Sequence, residues 1–366
     1  AGQFKVNPDA TAEDMIKKLP GVTVGRDGTV TAMGEQVRKV TVDGKDFFGD
    51  DATAALRNLP ADVIDKIQVF DRLSDQAQLT GFDDGNSVKT VNIVTKNGIR
   101  NGQFGRIYSG AGTDGRYTAG GNVSFFKGDR RLSLVANFNN INQQNFASQD
   151  LLGATSSSGG GGRGGGRGGM GGGSDNFNVG QSSGISKTNA LGINFSNVYA
   201  KKLTLTGSYF FNNSHNTNES VTNTETFDDT KNRFSLQKST SVNDNTNHRL
   251  NLRLEYKIDS SNSLFIIPSV SFQKSRSSSF SSQNIYEGLA DSISNLITPK
   301  STSDRNGYNI RNNMFFRHSF PKRGRSLSVG FNTTFTKNDG ESISDTRYRF
   351  YDSLYAFAYD SIQNRF

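Results

Sequence analysis

The chain of 366 residues has no cysteine, few apolar residues and no long apolar run. Without cysteine there is no disulfide framework, no thiolate metal site and no cysteine nucleophile. Hydrophobic residues make up only 33%, and the mean hydropathy is −0.59. No apolar stretch approaches the ~20 residues of a membrane-spanning helix, which excludes a helical membrane protein and leaves a β-barrel open. The opening "AGQFKVNPDATAED" has neither a basic start nor an apolar stretch, so it is not read as a signal peptide. Chains this poor in apolar residues are often disordered, but disordered chains are short of aromatics. Here there are 27 Phe and 11 Tyr, together with 40 Gly. Aromatics are being used without a large apolar core.

Chemistry-bearing sets are also missing. The three histidines, His215, His248 and His318, fall in or beside expected loops with no second ligand at metal spacing. Serines abound without a nucleophile elbow or a paired base. "GAGTDG" at 110–115 lacks the following helix and lysine of a phosphate loop and reads as a tight hairpin. The acidic pairs Asp50-Asp51 and Asp83-Asp84 fit no calcium loop and read as turn carboxylates. No catalytic, metal or cofactor site is expected, and the chain is not read as an enzyme. The net charge of +8 is uneven: residues 1–100 hold 13 Lys/Arg against 15 Asp/Glu, leaving 29 against 19 in the remainder. Those excess cations are scattered, which disfavours a polyanion partner.

The first hundred residues read as a small α+β domain. Thr11 caps a helix expected over 12–19, with Glu13 and Asp14 in its first turn, and Pro20-Gly21 stops it. Short strands follow around Asp27-Gly28 and before the turn at Asp43-Gly44; a second helix in "DDATAALRNLP" ends at Pro60. "VIDKIQVFD" and "KTVNIVTKNG" supply the last strands, with the acidic "GFDDGNS" between them.

The linked segments "MIKKLPGVTV", "VTVDGKDFFGDD", "LRNLPADVIDKIQVFD" and "GFDDGNSVKTVNIVTK" resemble the plug domain of TonB-dependent outer-membrane receptors, in the form common in the Bacteroidota. The resemblance covers about residues 10–98 and rests on Leu19, Pro20, Gly21, Asp43, Gly44, Leu59, Pro60, Gly81, Gly85 and Asn92. It implies a lumen-blocking domain on the periplasmic side, uptake of a ligand through the outer membrane, and coupling to a TonB-type energising protein. A surface lipoprotein or a larger outer-membrane complex is a further partner it allows. No TonB box is legible ahead of the domain, so a non-transporting barrel subunit of an assembly or secretion complex stays open as the alternative.

From about residue 101 a period of two takes over. "HRLNLRLEYKID" sets Leu250, Leu252, Leu254, Tyr256 and Ile258 on one face, with Asn251, Arg253, Glu255 and Lys257 on the other. Short connections at 127–130, 200–202, 259–262 and 320–325 alternate with long ones near 142–186, 212–247 and 274–307. That asymmetry is expected of transmembrane barrels, which have short periplasmic turns and long outer loops. Phe125, Tyr199, Tyr256 and Phe320 lie near the short turns, where an interfacial girdle would sit. Pro268 is expected to mark a bulge, since it cannot donate to the ladder. A charge at Leu252 is expected to harm assembly, and one at Arg253 to matter little.

The expected fold is thus an α+β plug over 1–100, followed over 101–366 by nine or ten strands of an antiparallel transmembrane β-barrel lying in outer-membrane lipid. A ~100-residue domain cannot sit inside ten strands, so a larger barrel is expected, of which these strands form the first part. The tract from Gly159 to Gly173 holds 12 glycines, with Arg163 and Arg167 among them and no aromatic. RNA binding needs stacking aromatics, so no nucleic-acid partner is expected and the tract reads as an outer loop.

Overall fold

The computed structural model describes residues 6–7, 10–25, 29–49, 51–96, 101–143, 148–149, 177–178, 183–227, 233–287, 293–322, 325–351 and 357–365. The glycine tract and most of the 142–186 segment lie outside the described residues.

The N-terminal part comprises α1 (Ala12–Ile16), β1 (Val22–Val24), β2 (Val30–Ala32), β3 (Glu35–Gln36), β4 (Lys39–Val42) and β5 (Lys45–Asp46). It continues through α2 (Ala52–Arg57), β6 (Ile64–Leu73), α3 (Asp75–Thr80) and β7 (Ser87–Thr95). One sheet has the order β1-β2-β3 and the other β5-β4-β7-β6, with β4 and β7 parallel. Helix α1 ends earlier than its pattern suggests, at Ile16. At its start the Asp14 carboxylate accepts from the Thr11 backbone N–H (2.9 Å) and hydroxyl (3.0 Å). Helix α3 is absent from the sequence reading, although its punctuation is present: Ser74 Oγ accepts from Ala77 N (3.0 Å), and Gly81 closes it at φ 76°. The core is built from Ile16, Val40, Phe48, Leu56, Leu59, Ile64 and Ile93.

The remainder forms β8 (Asn101–Ala111), β9 (Tyr117–Lys127), β10 (Arg130–Asn139), β11 (Ser148–Gln149), β12 (Phe177–Asn178) and β13 (Ile185–Tyr199). Then come β14 (Leu203–Thr226), β15 (Arg233–Lys257), β16 (Asn262–Glu287), β17 (Ile293–Ser319), β18 (Ser326–Tyr351) and β19 (Phe357–Arg365). Apart from the isolated pair β11-β12, these make one antiparallel ten-stranded sheet whose edges are β8 and β19. "GAGTDG" is the β8-β9 turn, where Asp114 (φ 56°) and Gly115 (φ 67°) take left-handed conformations.

Two of the expected loops are strand instead. Residues 212–226 pair with 233–247, and 274–286 with 293–306, the latter skipping 281–282 without a change of register and shifting once at Ile285/Tyr286. Apolar alternation stops there, but the backbone ladder does not need it: Ser, Thr and Asn side chains are compatible with a paired strand in water. The end of the apolar pattern is therefore not the end of the strand. All three histidines consequently sit in strands, His215 in β14, His248 in β15 and His318 in β17. Pro268 makes no bulge. Ladder pairing between β15 and β16 skips Leu252 and Arg253 and resumes at Leu254↔Ile266 with the register unchanged.

Burial in this sheet is inverted relative to a soluble domain. Asn137, Asn194, Ser196, Ser208 and Asn212 are buried, while Leu134, Ile193, Leu250, Phe272 and Phe335 are exposed. Register lines the exposed face up in rows. One row runs Leu203, Tyr256, Leu264, Phe316 and Val329; another, eight positions along β14, runs Phe211, His248, Phe272, Tyr308 and Lys337. Between them lies a mostly apolar band whose depth matches the ~9–11 residues of a barrel strand crossing lipid.

Candidate functional site: the contact between the N-terminal domain and the strand wall

The buried face of the sheet packs on the N-terminal domain. Val135, Ala190 and Phe210 of the sheet join that domain's apolar cluster, and Phe104 packs against it. The centre of this contact is "DFFGDD". Phe48 has φ 58° and Gly49 φ 62°, so a bulky residue occupies the left-handed region where only glycine sits at ease. Surroundings hold it there. Its ring lies 4.7 Å from that of Phe47 and 5.2 Å from that of Phe210, and its N–H donates to Asn194 Oδ1 (3.1 Å). At Gly49 an added Cβ would come within 3.0 Å of the Asn251 amide, so close approach to β15 adds to the demand for glycine.

Four arginines of the wall reach the domain. Arg131 donates to Val42 O (2.8 Å) and Asp43 Oδ2 (2.9 Å). Arg249 donates to Asp51 Oδ2 (2.9 Å) and lies 5.2 Å from the Phe210 ring centroid. Arg253 bonds Asp75 and donates to Glu255 Oε1 (2.6 Å). Arg317 donates to the carbonyl of Leu79, in the last turn of α3 (2.7 Å). Arg253, where a change is expected to matter little for assembly, has a side chain 11% exposed and ion-paired in this contact. The strand pattern gives the face on which these arginines lie; their partners come from a domain more than a hundred residues away in most cases, which no local spacing reveals.

Behind Arg253 the charges form a chain. Asp75 lies 3.8 Å from Arg72, which donates to Asp46 Oδ1 (2.7 Å), and Lys39 contacts Asp46 Oδ2 (3.0 Å). Burial alone would raise the Asp46 carboxyl, but Lys39, Arg72 and Arg253 outweigh it and hold the pKa down at about 2.

The ten residues carrying the sequence resemblance divide by role. Leu59 is fully buried and Leu19 packs on the core; Pro60 bridges to Thr11 and begins a single turn over Ala61–Val63. Gly21, Gly44, Gly81 and Gly85 all have positive φ, and Pro20 precedes the first of them. Asn92 Oδ1 accepts from Thr41 Oγ1 (2.9 Å) and Gly44 N (3.0 Å), while its Nδ2 donates to Gln68 (2.8 Å), tying the β4-β5 turn to β7 and β6. Asp43 accepts from Thr95 N and Oγ1 (both 2.8 Å) and from Arg131, so it joins the domain's own sheet to the wall.

Asp51 caps α2 through Ala54 N (2.8 Å), and Asp83 and Asp84 accept from Gly85 N and Asn86 N in their own turn. Among the described residues no group of His, Asp and Glu is arranged to hold a metal ion. The contact is made by a small apolar patch and a few buried polar links between the domain and the sheet.

No family model and no curated protein matches the chain. Solved structures similar to it include the alcaligin outer-membrane receptor FauA of Bordetella pertussis, at 12% identity over 93% of this chain and 57% of that one, with a TM-score of 0.26. The ferric yersiniabactin uptake receptor FyuA of Yersinia pestis is 10% identical over 93% and 59%, with a TM-score of 0.27. The ferric-catecholate import receptor Fiu of E. coli K12 is 12% identical over 94% and 65%, with a TM-score of 0.29. The chain spans less than two thirds of the length of each.

Proposed function

We propose that this chain is the plug and part of the barrel wall of an outer-membrane receptor of the TonB-dependent kind, gating entry of a ligand. The observation that carries the reading is the inverted burial of the sheet. Asn, Ser, Thr and Arg face a folded domain, while Leu, Ile, Val and Phe face outward in a band of lipid-spanning depth. A water-soluble protein would expose that apolar band at a cost of ~25 cal/mol per Å². Lipid removes the cost, and further strands would join the edges β8 and β19, since lipid cannot satisfy an open ladder.

In this reading the N-terminal domain closes the lumen, held by Arg131, Arg249, Arg253 and Arg317. An energising partner pulling from the periplasm would break these links in turn, because the force enters through the domain while the arginines stay fixed in the wall. The outer hairpins would capture the ligand, and displacement of the domain would open its path.

Three measurements test this. Extraction of the full-length protein from membranes should need detergent, and in planar bilayers that protein should be closed until the links are weakened. Recovery of a folded monomer in aqueous buffer without detergent would end the proposal. Ligand uptake unchanged after deletion of the energising partner would leave the barrel and remove the gating.

A further inference from the structure

The outward apolar band is broken at its middle by a polar pair. Pro268, Asn312 and Thr333 are register partners across β16, β17 and β18. On β17, Asn312 stands midway between Phe316 and Tyr308, which belong to the two rows that limit the band. Ile310 and Phe335 flank this row on one side, Met314 and Phe331 on the other, all on the same outer face. Phe331 and Phe335 are 60% and 62% exposed. Between these larger side chains the shorter Pro268, Asn312 and Thr333 leave a shallow trough.

Asn312 is unsatisfied in it. Its Oδ1 is closed in without a donor, while its Nδ2 is not closed in and makes no hydrogen bond among the described residues. The Thr333 hydroxyl beside it makes none either. Turned toward the amide, that hydroxyl could answer one end and would leave the other. A strand outside the described residues cannot come beside Asn312, because β16 and β18 already flank β17. The N-terminal domain packs on the opposite face. In hydrocarbon an unpaired amide is costly, and polar side chains at this depth characteristically face other protein.

We infer that a second copy of this chain covers the trough, with its own β17 and β18 packed against these in the plane of the membrane. The inference rests on the receptor reading above, which sets this face in lipid, and adds a partner. A two-fold axis along the membrane normal, passing between Asn312 and Thr333, brings each of them opposite the other in the second copy. Asn312 Nδ2 then donates to the Thr333 hydroxyl across the contact, and the symmetric bond is made in return. The proton of each hydroxyl is left for Asn312 Oδ1 of its own chain, so both ends of the amide are answered. Two copies in the same orientation carry these groups at the same depth, which a protein of different sequence would match only by chance. Higher on the same strands Asp304 and Glu341 are register partners, and strand tilt carries them away from the axis, so like charges are not brought together.

The test is the association state of the full-length protein, by sedimentation in detergent and by cross-linking in lipid vesicles. Wild type should be a dimer that dissociates on dilution. Asn312→Leu suits lipid, so it should assemble into vesicles at least as well as wild type, yet raise the dimer dissociation constant about tenfold, a gap of ~1.4 kcal/mol. Thr333→Val should do the same. The double variant should be no weaker than either single one, since both substitutions remove the same two bonds. These 366 residues hold no cysteine, so one can be placed at will. Thr333→Cys should cross-link two copies, and Leu205→Cys, in the same band four strands away, should not. A wild type that is monomeric when pure, whether lipid or a different protein fills the trough, would overturn the inference. So would a dimer indifferent to Asn312→Leu, or equal cross-linking at the two positions. If detergent dependence and bilayer closure hold while the protein is monomeric, the dimer alone falls; if the protein is soluble without detergent, the receptor reading falls with it.

Discussion

Replacing Arg249 by Met should loosen the N-terminal domain without unfolding the wall. Arg249 meets Asp51 at 2.9 Å, with side chains 9% and 1% exposed, and the other Asp51 oxygen already accepts from Ala54 N at the start of α2. Methionine keeps much of the arginine stem, so packing against Phe210 largely survives and the loss is mainly electrostatic. Removing one member of a buried pair costs about 3–5 kcal/mol, because the remaining charge has no counterpart. Taking the lower figure, the equilibrium for local release of the domain rises roughly a hundredfold. Hydrogen exchange on the intact protein reads this directly. Amides of Phe48, Ala54 and Ala55 should lose about two decades of protection in Arg249→Met, while amides in β9 and β10 keep theirs. The double variant with Asp51→Asn should exchange no faster than the single one, since the stranded charge is gone. Unchanged protection at 48–55, or additive effects in the double variant, would refute the assignment of this pair as a link.

The other expectations are simpler to state. Leu252→Arg places a charge midway through the apolar band, level with Gly207, and should cost ~2–4 kcal/mol in assembly into lipid vesicles, whereas Leu252→Ile should be near neutral. Assembly yields equal for the two would show that this face does not meet lipid. Arg253→Leu should assemble normally yet speed exchange at the start of α3, through loss of Asp75. Asp46 is held near 2 against an ordinary 3.8, so its contribution is present in full above the ordinary value and lost as pH falls through about 2. That amounts to ~2 kcal/mol, which Asp46→Asn should remove at neutral pH, narrowing the gap to wild type as pH falls from 4 to 2. A gap that stays constant over that range would contradict the network around Asp46. Asn92→Ala deletes two hydrogen bonds at β4 and its turn and one to Gln68 of β6, and should lower the domain's stability by ~1–3 kcal/mol in denaturant unfolding; unchanged stability would refute Asn92 as a tie between these strands.

Local physics made much of this architecture readable. Turn residues fixed the N-terminal domain: Asp43-Gly44, with φ of 47° and 77°, is the two-residue turn its dipeptide suggests. Alternating leucines in β15 likewise gave the two faces of the wall. What stayed hidden needed long-range contact. Helix α3 is a six-residue piece too short to show a period, though Ser74 and Gly81 flank it. The hairpins at 212–247 and 274–306 looked like loops because hydropathy reports the medium and not the ladder. Alternation placed Arg253 on the inward face, whereas Arg131, Arg249 and Arg317 were not singled out, and none of the partners Asp43, Asp51, Asp75 and Leu79 was legible.

Strands β14 to β18 run 24–27 residues, while the apolar band covers nine positions, the part that the proposed receptor would set in lipid. At ~3.4 Å per residue and a tilt of ~40°, each would stand about 60 Å tall, roughly twice the hydrocarbon thickness. In the proposed receptor, a solute arriving from outside would enter a chimney some nanometres before it touched the cork. Its search becomes nearly one-dimensional, and repeated weak encounters with the chimney wall can retain it long enough for a rare opening to matter.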